Sequence, residues 1–215
     1  MSQLRAWKQL LGLIRPRAIA ARSFICMQHS APVALDLVES GLVKVVYSRQ
    51  DGKTAVLGYR FPGQFVQPWA YSLNLETYPF SAIAVTTCCA HHISAETMNK
   101  FALTEKGAAL WRLQYGTDLF ADELRLIEAK HLDARQRFRK LLWQIGTVVA
   151  NGSLGSVRLP SGVTASDMAS VIGISPSELS RIKRQLIYEG CITGPGRTLT
   201  ILNLKRLLDR EMLLP

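Results

Sequence analysis

Residues 163–190 read VTASDMASVIGISPSELSRIKRQLIYEG, and this stretch decides the fold of the C-terminal part of the chain. Thr164 is a good N-cap for a first short helix, and Gly173 permits a tight turn after it. Ser-Pro-Ser-Glu at 175–178 matches a capping box with proline at the first helical position. A second helix is predicted from there to Gly190, a natural stop. Two short helices joined by a glycine turn are a helix-turn-helix.

The second helix of this motif is expected to enter the major groove of DNA. Arg181 is predicted to read a base, because a planar guanidinium pairs with both acceptors of guanine. Lys183 and Arg184 are predicted to hold phosphates or groove walls, whereas Glu178 either accepts from a cytosine amine or caps its helix. For each charge the alternative is an ordinary solvated helix face. The predicted DNA-contacting residues are Thr164, Ser175, Ser177, Glu178, Ser180, Arg181, Lys183, Arg184 and Arg197.

A wing follows the second helix. Residues 191–201 are typical of a β-ribbon with a Gly-Pro-Gly tip, and Arg197 near that tip is placed to touch the DNA backbone. Ser175 is expected to act chiefly as a cap, and Thr164 also to present its hydroxyl to a phosphate. The chain then closes with a predicted helix over 204–213.

A seam of apolar residues precedes the helix-turn-helix. From Leu110 to Ile145 they recur at alternating steps of three and four, the a/d spacing of a coiled coil. One long helix within 104–150 is predicted, and its length favours a homodimer over a helix packed on its own β-domain. His131 on the seam is either a pH-sensitive interface group or a structural histidine. The predicted dimer interface comprises Leu113, Phe120, Leu124, Ile127, His131 and Phe138.

The N-terminal half has the pattern of short β-strands. Runs at 41–47 and 54–61 flank Asp51-Gly52, a strong hairpin signal because glycine accepts the positive φ of the turn. Residues 81–89 are predicted to form another strand, and the spacing indicates a small antiparallel barrel or jelly roll. The predicted organisation is a β-domain over 1–103, a dimerisation helix over 104–150 and a winged helix-turn-helix over 151–215.

The charge balance favours an anionic partner. The chain has 26 Lys and Arg against 16 Asp and Glu, a net charge of +10. Such a surplus suits nucleic acid or an anionic membrane surface, with plain solubility as the alternative. No apolar stretch approaches the roughly 18–20 residues of a membrane span, and the basic N-terminus lacks the features of a secretory signal. A cytoplasmic protein without a membrane partner is predicted.

The four cysteines form no metal-binding or disulfide pattern. Cys26, Cys88, Cys89 and Cys191 include no CxxC pair, so buried free thiols are predicted, with no metal and no cofactor. An enzyme using Cys89 with a histidine at 91 is disfavoured, because no acidic residue follows to orient the base.

These elements together resemble the Crp/Fnr family of bacterial transcription regulators. The resemblance covers nearly everything after residue 18 and rests on residues 39–45, the Asp51-Gly52 hairpin, Pro62-Gly63, residues 134–138 and Ser180-Arg181. It implies an α+β fold with an N-terminal double-stranded β-helix (jelly-roll) sensor domain, a long dimerisation helix and a C-terminal winged helix-turn-helix. It further implies a homodimer on palindromic double-stranded DNA, with RNA polymerase as a candidate further partner.

The chain departs from the cyclic-nucleotide-binding members of that family. Their glycine-glutamate motif corresponds to residues 63–70, which contain no acid, and their arginine position falls on Tyr78 or Phe80. Cyclic AMP binding is therefore not expected, because the phosphate would lack its charged partner. The predicted pocket, either a site for an unidentified apolar effector or simple core filling, comprises Gln67, Trp69, Tyr71, Tyr78 and Phe80.

Other branches of the family suggest further alternatives. The cysteine cluster of the oxygen-sensing members is absent, and haem ligation by His91 or His92 is the minor reading beside structural histidines. In the recognition helix the usual glutamate position holds Ser177, and another contact position holds Pro176. The alternative function is a small-molecule or haem-dependent sensor whose main output is a protein partner.

Overall fold

The computed structural model describes Trp7, Gly12 and residues 15–150, 155–194 and 199–207, except for the side chains at 119, 122, 125, 126 and 128. The chain divides into two compact units, Met1–Leu124 and Arg125–Pro215.

The first unit is built on two four-stranded antiparallel sheets, which confirms the predicted jelly roll. One sheet has the order β1-β8-β3-β6 and the other β2-β7-β4-β5. The strands are β1 Arg17–Ile19, β2 Phe24–Cys26, β3 Ala34–Ser40, β4 Val43–Ser48, β5 Thr54–Arg60, β6 Phe65–Val66, β7 Ser81–Ala84 and β8 Cys88–Ser94. Helices described in this unit include α1 Pro68–Ser72, α2 Ala95–Ala102 and α3 Glu105–His131, the last of which continues into the second unit.

The predicted hairpin is confirmed. Strands β4 and β5 pair from Val43 opposite Arg60 to Ser48 opposite Thr54. Gly52 has φ 78° in the turn, as the Asp-Gly signal requires.

The predicted single strand over 81–89 is wrong, because the chain changes sheet within it. Strand β7 ends at Ala84 and pairs with β2 and β4, whereas β8 begins at Cys88 and pairs with β1 and β3. The crossing is held by Leu42, whose amide donates to Thr86 Oγ1 at 3.0 Å and whose carbonyl accepts from the Val85 amide at 2.7 Å. β-branched residues at the crossing gave the run its uniform strand propensity.

Alternating residues of β3 serve two separate cores. Val38 packs inside the roll with residues of β4, β7 and β8. Leu35 and Leu37 lie on the other face, where they pack with Trp7 and Met98.

The predicted long helix is interrupted. Helix α3 ends at His131 and α4 runs over Ala134–Ala150. Asp133 Oδ1 accepts from the Gln136 amide at 2.7 Å, and Gln136 Oε1 accepts from the Asp133 amide at 2.9 Å. This reciprocal cap starts a new helix, so the heptad pattern continues across a break in the backbone.

The second unit packs around α4. Its other elements are β9 Val157–Arg158, α5 Ala165–Ile172, α6 Pro176–Tyr188, β10 Ile192–Thr193, β11 Thr200–Ile201 and a 3-10 helix Leu204–Leu207. The three strands form one sheet in the order β10-β11-β9. Of the predicted C-terminal helix, 208–213 lies outside the described residues. Within the described part of the chain, no helix combines the length and apolarity that crossing a bilayer requires.

Gly41 is expected to be far more sensitive to substitution than Gly52. Both have positive φ, 93° and 78°. A Cβ at Gly41 would lie 2.7 Å from the Thr87 carbonyl oxygen, whereas one at Gly52 meets nothing within 4 Å. Gly52→Ala should lower the free energy of unfolding by about 1–2 kcal/mol, from the left-handed backbone alone. Gly41→Ala should lose about 1–3 kcal/mol more through overpacking, measured by urea denaturation. Equal losses would contradict the close approach at Gly41.

Candidate nucleic-acid interface

Side-chain caps and a left-handed glycine define the two helices of the motif. Thr164 Oγ1 accepts from the Asp167 amide at 3.1 Å at the start of α5. Gly173 ends that helix with φ 72°, and the Ile174 amide donates to the Ala169 carbonyl at 3.0 Å. Each feature satisfies a main-chain group that the helix end would otherwise leave unpaired. The predicted helix-turn-helix is confirmed.

Helix α6 buries one face and exposes the other. Leu179, Ile182 and Leu186 are buried, at the spacing of one helical stripe. The opposite side exposes residues that bear hydroxyl or guanidinium groups: Ser177, Ser180, Arg181 and Arg184. This exposed face carries two cationic forks and no carboxylate, which suits a polyanion.

The remaining predicted DNA contacts are either helix caps, half-buried or outside the described residues. Ser175 Oγ caps α6 by accepting from the Glu178 amide at 3.2 Å, while Glu178 itself is half-buried. Lys183 is also half-buried and turns toward a groove that Ala165 and Gly194 line as well. Arg197 lies outside the described residues.

The predicted wing is present as a short sheet. Thr193 of β10 lies opposite Thr200 of β11, and Thr200 lies opposite Arg158 of β9.

Three arginines of α4 tie the unit together. The Arg137 guanidinium donates to Ile172 O at 3.1 Å. Arg139, which is buried, donates to the carbonyls of Leu207 at 3.2 Å and Arg206 at 2.6 Å. Arg135 forms an ion pair with Glu189 at 2.6 Å.

The family resemblance over residues 134–138 includes Arg135 and Arg137 but predicts no role for either. The Asp-x-x-Gln spacing at 133–136 was the available signal that a helix begins there.

The predicted dimer seam divides at the helix break. On α3, Leu113 and Phe120 are each 59% exposed and Ile127 is 41% exposed, at successive seven-residue steps. Leu124 is half-buried and His131 is exposed. These residues remain candidates for an interface. Phe138 must be removed from the set, because it is fully buried within its own chain on α4, with Leu142 and Ile145.

The predicted effector residues fall into two places. Gln67 is 1% exposed with φ 52°, and its Nε2 donates to Phe80 O at 2.8 Å and to Cys26 Sγ at 2.9 Å. The Tyr78 hydroxyl donates to Ala34 O at 2.7 Å, and the Trp69 ring meets the Phe80 ring edge to face.

Tyr71 lies apart from this group. Its ring packs against Trp111 and its hydroxyl hydrogen-bonds Asn99.

A buried carboxylate enters the same roll. Asp36 is 4% exposed and lies on the same face of β3 as Val38, which packs in the roll interior. Its Oδ1 accepts from Arg17 Nη2 at 3.0 Å and lies 3.0 Å from His92 Nδ1. Burial first, and then the Asp36 charge, raise the pKa of Cys26 to about 12.

The structure also shows the surroundings of the thiols and histidines that were considered as catalytic or haem-binding groups. Burial raises the pKa of the Cys88 thiol, which opposes its use as a thiolate nucleophile. His91 is buried 2.8 Å from Glu39, and His92 is engaged by Asp36. Within the described residues, no group of three or more His, Cys, Asp or Glu side chains could hold a metal ion.

Two family models match the chain. The one described as Cyclic nucleotide-binding domain matches residues 16–105, and the one described as Crp-like helix-turn-helix domain matches residues 136–210. No curated protein matches the sequence.

Solved structures of regulators resemble the chain over most of its length. A CRP/FNR-family transcriptional regulator from Thermus thermophilus has a TM-score of 0.74 at 18% identity, covering 92% of this chain and 97% of that one. The c-di-GMP-responsive global regulator CLP of Xanthomonas campestris has a TM-score of 0.69 at 20% identity, covering 93% and 98%. FixK2 of Bradyrhizobium japonicum has a TM-score of 0.71 at 18% identity, covering 91% and 96%.

The buried thiol predicts a loss of stability in alkali. The pKa of Cys26 in the folded chain is about 12, against 9.0 for a free thiol. Above pH 9 the unfolded chain therefore binds fewer protons than the folded one, and the free energy of unfolding falls as pH rises toward 12. Cys26→Ala should flatten this decline by up to about 1.4 kcal/mol per pH unit, measured by urea denaturation between pH 8 and 11. Cys89→Ala, which removes a half-exposed thiol, is the matched control; an unchanged slope in Cys26→Ala would contradict the assignment.

Proposed function

Because this chain belongs to the Crp/Fnr family of transcription regulators, a family of DNA-binding proteins rather than enzymes, we propose that it binds a palindromic promoter site as a homodimer and does not respond to cyclic AMP. It acts in the cytoplasm, with RNA polymerase as its further partner. The exposed face of α6 is the observation that carries the proposal.

Arg181 is the base-reading residue. It is exposed, lies in the first half of α6 and is supported from behind by the buried Leu179 and Ile182. Recognition helices contact base edges with their N-terminal residues, where a guanidinium fork matches the O6 and N7 acceptors of guanine. Arg184 lies three residues on and holds a phosphate, as does Lys183 at the edge of its groove.

The α3 seam supports the homodimer. Three large apolar side chains at seven-residue steps are unusual on a solvent-facing helix, and pairing with a second copy removes them from water. Each contributes roughly 1 kcal/mol or more to association, since full burial of such a side chain is worth about 1.5–3 kcal/mol.

The roll interior supports the exclusion of cyclic AMP. Gln67 and Tyr78 occupy the region that corresponds to the nucleotide contacts of other members, and each is tied to main-chain oxygens. Arg17 Nη2 donates to the buried Asp36 carboxylate at 3.0 Å, and His92 Nδ1 lies 3.0 Å from the same oxygen. A cyclic phosphate entering here would meet a buried carboxylate instead of a free cation.

Loss of the Arg181 fork should relax sequence preference. Selection from random duplexes by the wild type is expected to give a palindrome with half-sites about one helical turn apart. Arg181→Ala should lose about 1–3 kcal/mol for that site relative to a scrambled duplex. Arg181→Lys should lose the same preference but retain the salt dependence, because it keeps the charge.

Lys205→Ala is the charge-matched control, since it removes an exposed cation outside the motif. Sequence preference that survives in Arg181→Ala would exclude Arg181 as the base reader.

A glutamate on the seam should separate the protomers. Phe120→Glu places a charge in the proposed interface and should shift the protein from dimer to monomer, measured by light scattering during size-exclusion chromatography. Ala129→Glu is the control, because Ala129 is exposed on the opposite side of α3, nine residues and about 180° away. A dimer that persists in Phe120→Glu would place the interface elsewhere.

A further inference from the structure

Arg137 joins the ends of two helices within the second unit. Its Nη1 donates to Leu132 O at 2.7 Å and to Ala129 O at 3.3 Å, at the C-terminal end of α3. Its Nε donates to Ile172 O at 3.1 Å, on the last residue of α5. A guanidinium has five N–H donors in a rigid fork, so one side chain satisfies carbonyls at both helix ends.

The two helix ends have separate tasks in the proposed function. The last turns of α3 carry Ile127 and His131, the part of the dimer seam that lies within this unit. Ile172 directly precedes Gly173, the turn that aims α6. Arg137 is thus bonded on one side to α3, the seam helix, and on the other to the reading module, which we define as the helix-turn-helix of α5 and α6 (165–188).

Two neighbouring interactions hold the start of α4 and the end of α6. The reciprocal cap between Asp133 and Gln136 sets the start of α4. The Arg135–Glu189 pair links α4 to the end of α6.

We infer that Arg137 is a positioning residue that sets the spacing at which the dimer accepts two half-sites. The inference rests on the proposed function, because it needs a dimer that reads a palindrome. Arg137 holds each helix-turn-helix at one angle to the last turns of α3, which carry Ile127 and His131. The two recognition helices are then presented at one separation and one rotation.

Rigid and tethered modules respond differently to spacing. One inserted base pair moves a half-site by about 3.4 Å and rotates it by about 35°. Rigidly held modules cannot follow that change without losing contacts. When the link through Arg137 is lost, the second module behaves as a tethered ligand, and its binding depends on its effective concentration near the second half-site. A small change in half-site spacing then has little effect on the affinity.

The experiment measures the affinity of full-length protein for its selected palindrome and for duplexes with one or two base pairs inserted between the half-sites. Wild type should lose about tenfold or more per insertion, a change of about 1.4 kcal/mol. Arg137→Met keeps the apolar stem but removes every donor. The affinity of this variant should fall by less than about threefold for each inserted base pair. Its preference for a single half-site over a scrambled one should match wild type, because Arg181 is untouched.

Arg135→Gln is the matched control on the same helix and should remain as strict as wild type. Arg137→Lys keeps the charge with a compact donor group, so an intermediate tolerance is expected; it also serves as the test if Arg137→Met does not fold. Spacing strictness that persists in both Arg137 variants overturns this inference and leaves the proposed function intact. A wild type that selects no palindrome overturns the proposed function itself.

Discussion

The last four carbonyls of an α-helix have no partner within that helix, and leaving such a group buried and unpaired costs about 1–3 kcal/mol. Several helix ends in the second unit meet at α4. Arg137 and Arg139 supply N–H donors to carbonyls at three of those ends, where a cation is also favoured by the helix dipole. The arrangement of the reading module thus depends on guanidinium groups from one helix.

Helix α4 contacts its neighbours both through buried apolar side chains and through these hydrogen bonds. Phe138, Leu142 and Ile145 fill the interior, and the absence of a side chain at Gly146 admits Leu204 at a distance that a Cβ would obstruct. Interdigitated side chains restrict the crossing angle of two helices, and a planar fork bonded to two carbonyls adds directional contacts to that packing. Leu179, Ile182 and Leu186 lie on the buried face of α6, whereas Arg181 and Arg184 are exposed on its other side.

Local signals in the sequence predicted the helix-turn-helix and the β4–β5 hairpin, because caps and turn residues act over four or five positions. The dimer seam was misread because one periodic pattern serves two environments. The heptad phase runs unbroken from Leu113 to Phe138, yet Leu113 is exposed and Phe138 lies in the core of the second unit. Partners across strands, such as Asp36 with His92, leave no trace in linear spacing and could not be anticipated. Nor could the path of Arg137 to Ile172, which lies 35 residues away.

The buried charge of Asp36 also bears on what signal the jelly roll can receive. A roll that binds a cyclic phosphate needs a cation facing its interior, and the cation must be free to pair with the ligand. Arg17 balances Asp36, so an entering anion would compete for Arg17 and leave a carboxylate that is 4% exposed without its guanidinium. Burial, and after it the Asp36 charge, raises the pKa of Cys26 to about 12, and burial is likewise the largest cause of the raised pKa of Tyr78. This arrangement supports the proposal that the roll does not respond to a cyclic nucleotide.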